Sequence, residues 1–260
     1  MKTSIAAYSL ILMAMLLALP VLAQDLQEGL VGHWMFDGNA DDSSGNGYHG
    51  EENGDTAYVP GKFGQAINFE NIGAYVVVPN NADMQLRSAD NYTVAIYAHP
   101  SNTNHGDIFF HGLGCSTWAS WFMGMQGGEP DAPLVAGNFV FAVRTSNGSA
   151  YTGVSEPAGT DEWIHLAATY DGTALTLYID GEESNSVETS DVPFDSQEKL
   201  HIGGDPGCGG RSWYTGLLDD ARIYNRALTK NEIAQLAEHG GMAVHATGKL
   251  AVTWGVIKKR

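Results

Sequence analysis

Basic residues are scarce in this chain. Lysine and arginine number 13 against 30 aspartates and glutamates in 260 residues, a formal net charge of −17. A surface this acidic repels nucleic acid and anionic lipid, so both are excluded as partners. Long apolar runs are also missing. Residues 9–19 form the longest early apolar stretch, shorter than the roughly 20 residues a membrane span needs, with only Lys2 ahead of it. It leads into Pro20-Val21-Leu22-Ala23, which reads as a signal peptide (1–23) cut after Ala23. No cysteine follows that cut to take a lipid. The expectation is an exported protein, extracellular, on a cell surface or periplasmic, with no membrane span after cleavage.

Cysteine is the next scarcity. Only Cys115 and Cys208 are present, and an even count in an exported chain favours one disulfide between them. Closing so long a loop contributes about 4 to 5 kcal/mol in the chain-entropy description. Both cysteines sit in glycine-rich segments, Gly112-Leu113-Gly114-Cys115 and Pro206-Gly207-Cys208-Gly209-Gly210, so the bond would tie two strand-connecting loops together. Catalytic signatures are missing as well: there is no Gly-x-Ser-x-Gly elbow, no phosphate loop and no His-Glu-x-x-His site. Nine histidines are scattered without ligand-like spacing.

What is present is a series of short apolar runs separated by Gly, Asn, Asp and Pro, with almost no helical periodicity before residue 228. Strands are predicted at 31–37, 66–70, 75–79, 92–99, 108–112, 121–125, 139–145, 163–170, 174–180, 200–203 and 216–224. Leu175-Thr176-Leu177-Tyr178-Ile179 alternates and ends at Asp180-Gly181, the signature of a two-residue hairpin turn. One helix is predicted over 230–238, ending at Gly240-Gly241: Thr229 and Glu232 have capping-box spacing, and Leu228 and Ile233 take the staple positions. The fold class is all-β, a two-sheet antiparallel β-sandwich over 24–240 with one short C-terminal helix. The tail 241–260 departs from it, its short apolar run ending in Lys258-Lys259-Arg260. A flexible appendage, an added edge strand and an export tag all fit that composition.

Five segments in register resemble LamG-like jellyroll domains of the concanavalin A-like lectin/glucanase superfamily. They are Gly29-Leu30-Val31-Gly32-His33-Trp34 with Asp42-Ser43-Ser44-Gly45-Asn46-Gly47, then Gly61-Lys62-Phe63-Gly64-Gln65-Ala66, then Glu162-Trp163-Ile164-His165-Leu166, and finally Leu217-Leu218-Asp219-Asp220-Ala221-Arg222-Ile223-Tyr224. The resemblance spans about residues 29–239 and implies a twisted jellyroll used mainly for binding. One departure is Tyr97, where the family usually has tryptophan. The fold hosts lectins, protein-binding modules and glycoside hydrolases alike, so function has to come from sites.

Hydrolase relatives place their two carboxylates on one strand as Glu-x-Asp-x-Glu, because alternation aims i, i+2 and i+4 at one face. This sequence has no such strand; its nearest candidate, Asp180-Gly181-Glu182-Glu183, is a turn. The expectation is a non-catalytic binding or adhesion module recognising carbohydrate or glycoprotein. A protein-docking domain is the alternative, and a glycoside hydrolase comes third.

Two sites are expected. Simple alternation through residues 217–223 puts Asp219 on the apolar face with Leu217, Ala221 and Ile223. A carboxylate there needs a partner, and Asp37, Asp42 and Asn46 in the first loop offer the hard oxygen ligands that suit Ca²⁺. Backbone amides or an arginine would serve instead. The resemblance implies the same pinning of first loop to late strand by structural calcium. The second site is aromatic: Trp118, Trp213 and Tyr214 beside the cysteine loops would stack on sugar faces, with Arg211, Asn104, His105 and Asp107 reading hydroxyls. Trp121 and Trp213 also fit a core role; Trp121 opens an alternating strand and is expected to be buried, and Trp118 and Tyr214 are the better exposed candidates.

Overall fold

The computed structural model describes residues 26–70, 72–86, 91–112, 119–126, 135–144, 151–194, 196–208 and 212–239. Residues 1–23, expected to form a signal peptide, and the tail 241–260 lie outside them. The apolar runs pair into two antiparallel sheets. The larger has eight strands: β1 (Leu30–Trp34), β3 (Ala57–Pro60), β4 (Gln65–Asn68), β6 (Tyr92–Pro100), β11 (Ile164–Tyr170), β12 (Ala174–Ile179), β13 (Glu182–Glu188) and β15 (Gly216–Tyr224). Their order is β13-β12-β11-β6-β15-β4-β3, with β1 added alongside β15. The seven-stranded sheet runs β10-β9-β8-β7-β14-β5-β2. Its members are β2 (Glu51–Asn53), β5 (Tyr75–Val78), β7 (Gly106–His111), β8 (Trp121–Met125), β9 (Asn138–Arg144), β10 (Tyr151–Pro157) and β14 (Leu200–Ile202).

The facing sides of the sheets form one core that includes Trp34, Ile67, Ile96, Phe109, Trp121 and Phe141. Full burial of one such side chain is worth about 1.5 to 3 kcal/mol. Indoles at this depth need partners for their N–H, and Trp34 Nε1 donates to the Tyr48 carbonyl while Trp121 Nε1 donates to that of Met84, both at 2.9 Å. Trp121 is therefore the core residue its strand pattern predicts.

The β12–β13 hairpin turns at Asp180 (φ 50°) and Gly181 (φ 85°), the two positive angles a type I′ turn requires. Glycine is needed at 181 for a second reason: a Cβ there would lie 3.0 Å from the Ala234 Cα of the helix packed on the turn. That helix, α1 (Lys230–His239), opens with the expected capping box. The Thr229 amide donates to Glu232 Oε2 at 2.8 Å, and the Glu232 amide donates to Thr229 Oγ1 at 3.3 Å. Leu228, Ile233 and Leu236 press α1 onto Ala95, Ala167, Tyr178 and Tyr224, on the outer side of the eight-stranded sheet.

Strand β15 corrects the simple alternation. Asp219 pairs with Tyr97 and Arg222 with Ala95, so two residues of β15 oppose one of β6, and Asp220 takes a left-handed φ of 51°. The extra residue reverses the strand's phase. Leu218, Ala221 and Ile223 all reach the core, while Asp219, Asp220 and Arg222 all face outward. Asp219 is thus not on the apolar face with Ala221 and Ile223; the bulge carries it to the opposite side.

Candidate functional site

Strand β8 sends Trp121, Met123 and Met125 into the core, leaving Phe122 and Gly124 on the outer side of the seven-stranded sheet. Strand β7 is bulged where Asp107 pairs with Gly124 and Phe109 with Met123. Ile108 and Phe109 therefore both enter the core, and Asp107 and Phe110 share the outer side with Phe122. Beside Phe110 in register stands His201 of β14, which in turn opposes Val77 of β5. Tyr75 lies two positions from Val77 on the same side.

Trp213 joins this surface through a single parallel bridge to Asp107. Its ring packs across Gly204, where a Cβ would collide with the indole. Three rings then form a row: Trp213 to Tyr75 is 5.7 Å between centroids and Tyr75 to His201 is 6.0 Å. Trp213 and Tyr75 are half-buried, so each keeps part of its ring exposed.

At the end of the row Asp107 is only 2% exposed. Its Oδ1 lies 3.8 Å from His105 Nε2, and its Oδ2 is buried with no hydrogen-bond partner. Burial pushes the Asp107 carboxyl up; His105 opposes that, and the charge of Asp205 adds to it. Asp205 is itself fully buried, its Oδ1 accepting from the Gly207 amide at 2.8 Å. Burial pushes the His201 imidazole down, with the charge of Asp205 opposing. Aromatic faces beside a buried acceptor suit a polyhydroxylated ligand.

Of the predicted ligand residues, Trp213 takes its place here. Tyr214 does not: it is 1% exposed, belongs to the main core and donates its hydroxyl to the Leu217 carbonyl at 3.2 Å. The bridge at Trp213 turns that residue outward, so its neighbour turns in. Trp118 and Arg211 lie outside the described residues, as do Cys115 and the side chain of Cys208, which closes the 3₁₀ turn Pro206–Cys208. Tyr75 and His201 were not anticipated. Tyr75-Val76-Val77-Val78 does alternate, and that pattern alone would have put Tyr75 on one face with Val77.

The four expected calcium ligands fall into two groups. Asp42 organises its own loop, with Oδ1 accepting from the amides of His33 (3.0 Å) and Ser44 (2.8 Å), and Oδ2 from Ser44 Oγ (2.8 Å) and the Tyr48 amide (2.9 Å). Burial alone would raise its carboxyl, but these bonds outweigh it and hold Asp42 below its usual range. Asn46 donates to the carbonyls of Leu30 and Val31.

Asp37 and Asp219 instead share the loop from Gly61 to Gln65. Asp37 Oδ1 accepts from the Gln65 amide at 2.7 Å, and Asp219 Oδ2 from the Phe63 amide at 2.9 Å. A Cβ at Gly61 would lie 2.7 Å from Asp219 Oδ2, so the loop closes this tightly only with glycine. Asp219 Oδ1 is buried and has no hydrogen-bond partner. Burial, with the charges of Asp220 and Asp37 added, pushes its carboxyl up to about 7. Neighbouring Asp220 is the paired acid, 2.6 Å from His33 Nε2 and 3.1 Å from the Arg222 guanidinium. Among the described residues no group of three or more His, Cys, Asp or Glu has metal-holding geometry.

No curated protein matches this chain. Among solved structures, domain 4 of AbnA, a GH43 extracellular arabinanase from Geobacillus stearothermophilus in complex with arabinotriose, is 26% identical with a TM-score of 0.61, over 80% of this chain and 98% of that one. The binding domain of Paraclostridial Mosquitocidal Protein 1 is 18% identical (TM-score 0.63), covering 81% of this chain and 52% of that one. The receptor-binding domain of a botulinum neurotoxin C/D mosaic serotype is 17% identical (TM-score 0.62), covering 82% and 52%. The chain spans about half of either toxin domain, and at these identities the likeness shows the fold alone. The sequence model of the concanavalin A-like lectin/glucanases superfamily matches residues 70–234. With that match over more than half its length, on a two-sheet sandwich, the chain belongs to the concanavalin A-like lectin/glucanase superfamily.

Proposed function

We propose that this protein is an exported, non-catalytic module that binds carbohydrate, free or on a glycoprotein, on the outer side of the seven-stranded sheet. The observation that carries the reading is the row Trp213–Tyr75–His201 with Asp107 bridged to Trp213, its Oδ2 buried without a partner. Aromatic faces supply stacking and the carboxylate accepts hydroxyl protons. The arabinanase domain, crystallised with arabinotriose and matched over 98% of its length, supports it. A glycan array run with and without calcium tests the reading: specific retention without shortening of the glycan supports it. Silence across the panel, with protein partners cross-linked at the surface, favours a docking domain.

A hydrolytic reading has one observation in its favour, a raised carboxyl at Asp107 beside the charge of Asp205. Release of reducing ends from any bound glycan would move the assignment there.

We also propose a structural Ca²⁺ between the first loop and β15, held by Asp37 and Asp219. The uncommitted Asp219 Oδ1 is the atom such an ion would satisfy, and main-chain carbonyls would have to supply its remaining ligands. Asp42 and Asn46 are spent on the loop's own hydrogen bonds and would act by shaping it. Once bound, the ion would supply positive charge to two carboxylates that otherwise repel each other.

A further inference from the structure

The polar end of the outer-sheet site has a charge character that narrows the ligand further. Asp107 and Asp205 are buried 98% or more there, close enough for the charge of one to raise the other. Oδ2 of Asp107 stands unpartnered on the side of the sheet shared with Phe110, Phe122 and, through its bridge, Trp213. A hydroxyl gives that oxygen the donor it lacks. A carboxylate or sulfate has no proton to give at neutral pH, so it leaves that oxygen without a donor, and any charge carried by the two buried acids repels it.

Among the described residues, the cations nearby do little to offset this. His105 already faces Asp107 Oδ1, at 3.8 Å. Burial disfavours the cationic form of His201, against the opposing charge of Asp205. Arg144 lies two strands from Asp107, over the Tyr151 ring, 5.7 Å from its centroid.

We infer that this site takes uncharged glycans and rejects acidic ones bearing sialic acid, uronic acid or sulfate, with Asp107 as the residue that discriminates. The inference rests on the carbohydrate-binding reading above and names the ligand class of that same site. Selectivity of this kind comes from the repulsive element as much as from the attractive one.

The test is titration of the full mature protein with matched pairs: arabinotriose and xylotriose as neutral probes, lactose against 3′-sialyllactose, and xylotriose against its glucuronate-substituted form. In the wild type each acidic member binds about tenfold or more weakly than its neutral twin. Asp107→Asn keeps the shape, removes the ionisable group and adds a fixed donor, so the acidic member gains relative to the neutral one. Parity or preference for the acidic member in the wild type overturns the inference and leaves the carbohydrate reading standing, and so does an unchanged ratio in Asp107→Asn. Silence on both series overturns both. The wild-type ratio needs no variant, so a misfolded Asp107→Asn would not shield the inference.

Discussion

The Tyr97 hydroxyl donates to the main-chain carbonyls of Leu236 and Ala237, fastening β6 to the last turn of α1. Those carbonyls belong to the set a helix leaves unsatisfied at its C-terminus. A tryptophan, the usual residue in this family, carries its donor on a larger ring. Tyr97 also packs against the tilted His165 ring at 4.9 Å and meets Phe63 edge-on at 5.2 Å, joining the helix to the loop over Asp219.

Tyr97→Phe should therefore destabilise the protein by about 1 to 2 kcal/mol, with the ring packing preserved. Chemical denaturation gives the magnitude. Faster amide exchange confined to α1 would locate it, whereas uniform loosening would contradict the clamp.

Asp219 predicts an unusual pH dependence in calcium-free buffer. Its carboxyl titrates near 3.8 when unfolded and about 7 when folded. The folded state thus holds the proton across that window while the unfolded state releases it. Stability falls as pH rises from about 4 to about 7, by no more than about 4 kcal/mol. Asp219→Asn should flatten that slope, and millimolar calcium should raise the melting temperature near pH 7 by mass action. A melting curve indifferent to both chelator and calcium would remove the cation from the account.

Trp213 and Tyr214 should part company on substitution. Trp213→Ala should weaken glycan binding by about 1 kcal/mol or more, a stacking-sized loss, and leave the fold intact. Tyr214→Ala empties a core position and should cost about 3 to 5 kcal/mol of stability. Titration and thermal melting of the two variants, side by side, check this.

The cysteine pair gives a mass-spectrometric prediction. The non-reduced mature protein should yield one linked Cys115–Cys208 peptide and no alkylatable thiol. Two labelled thiols in the native secreted protein would reject the bond.

Much of the sandwich is written locally. The β12 alternation with its Asp-Gly turn, and Thr229 with Glu232 ahead of Ile233, each carry their signal within a few residues, and both structures form where the pattern puts them. Strand β13 is invisible to the same reasoning: Glu-Glu-Ser-Asn-Ser-Val-Glu has no apolar face and is held by pairing to β12. The aromatic site is harder still, because Tyr75, Asp107, His201 and Trp213 come from four separate segments, and only the sheet order brings them together. Trp213 was legible as a candidate; the direction of Tyr214 was not, since a long-range bridge to Asp107 sets it.

The bulge at Asp220 makes β15 a strand of two parities. Inward positions are even-numbered before it, as at Leu218, and odd-numbered after it, as at Ala221 and Ile223. An alignment that closes this one-residue gap would exchange buried and solvent-facing positions along half the strand. The same offset gives the outer surface adjacent acids with opposite fates, Asp220 neutralised by Arg222 and Asp219 left to the loop. Deleting Asp220 would thus leave plain alternation, with Leu218, Ala221 and Ile223 still inward and Asp219 and Arg222 outward; the loss would fall on His33 and Arg222, which would be left without the acid they share.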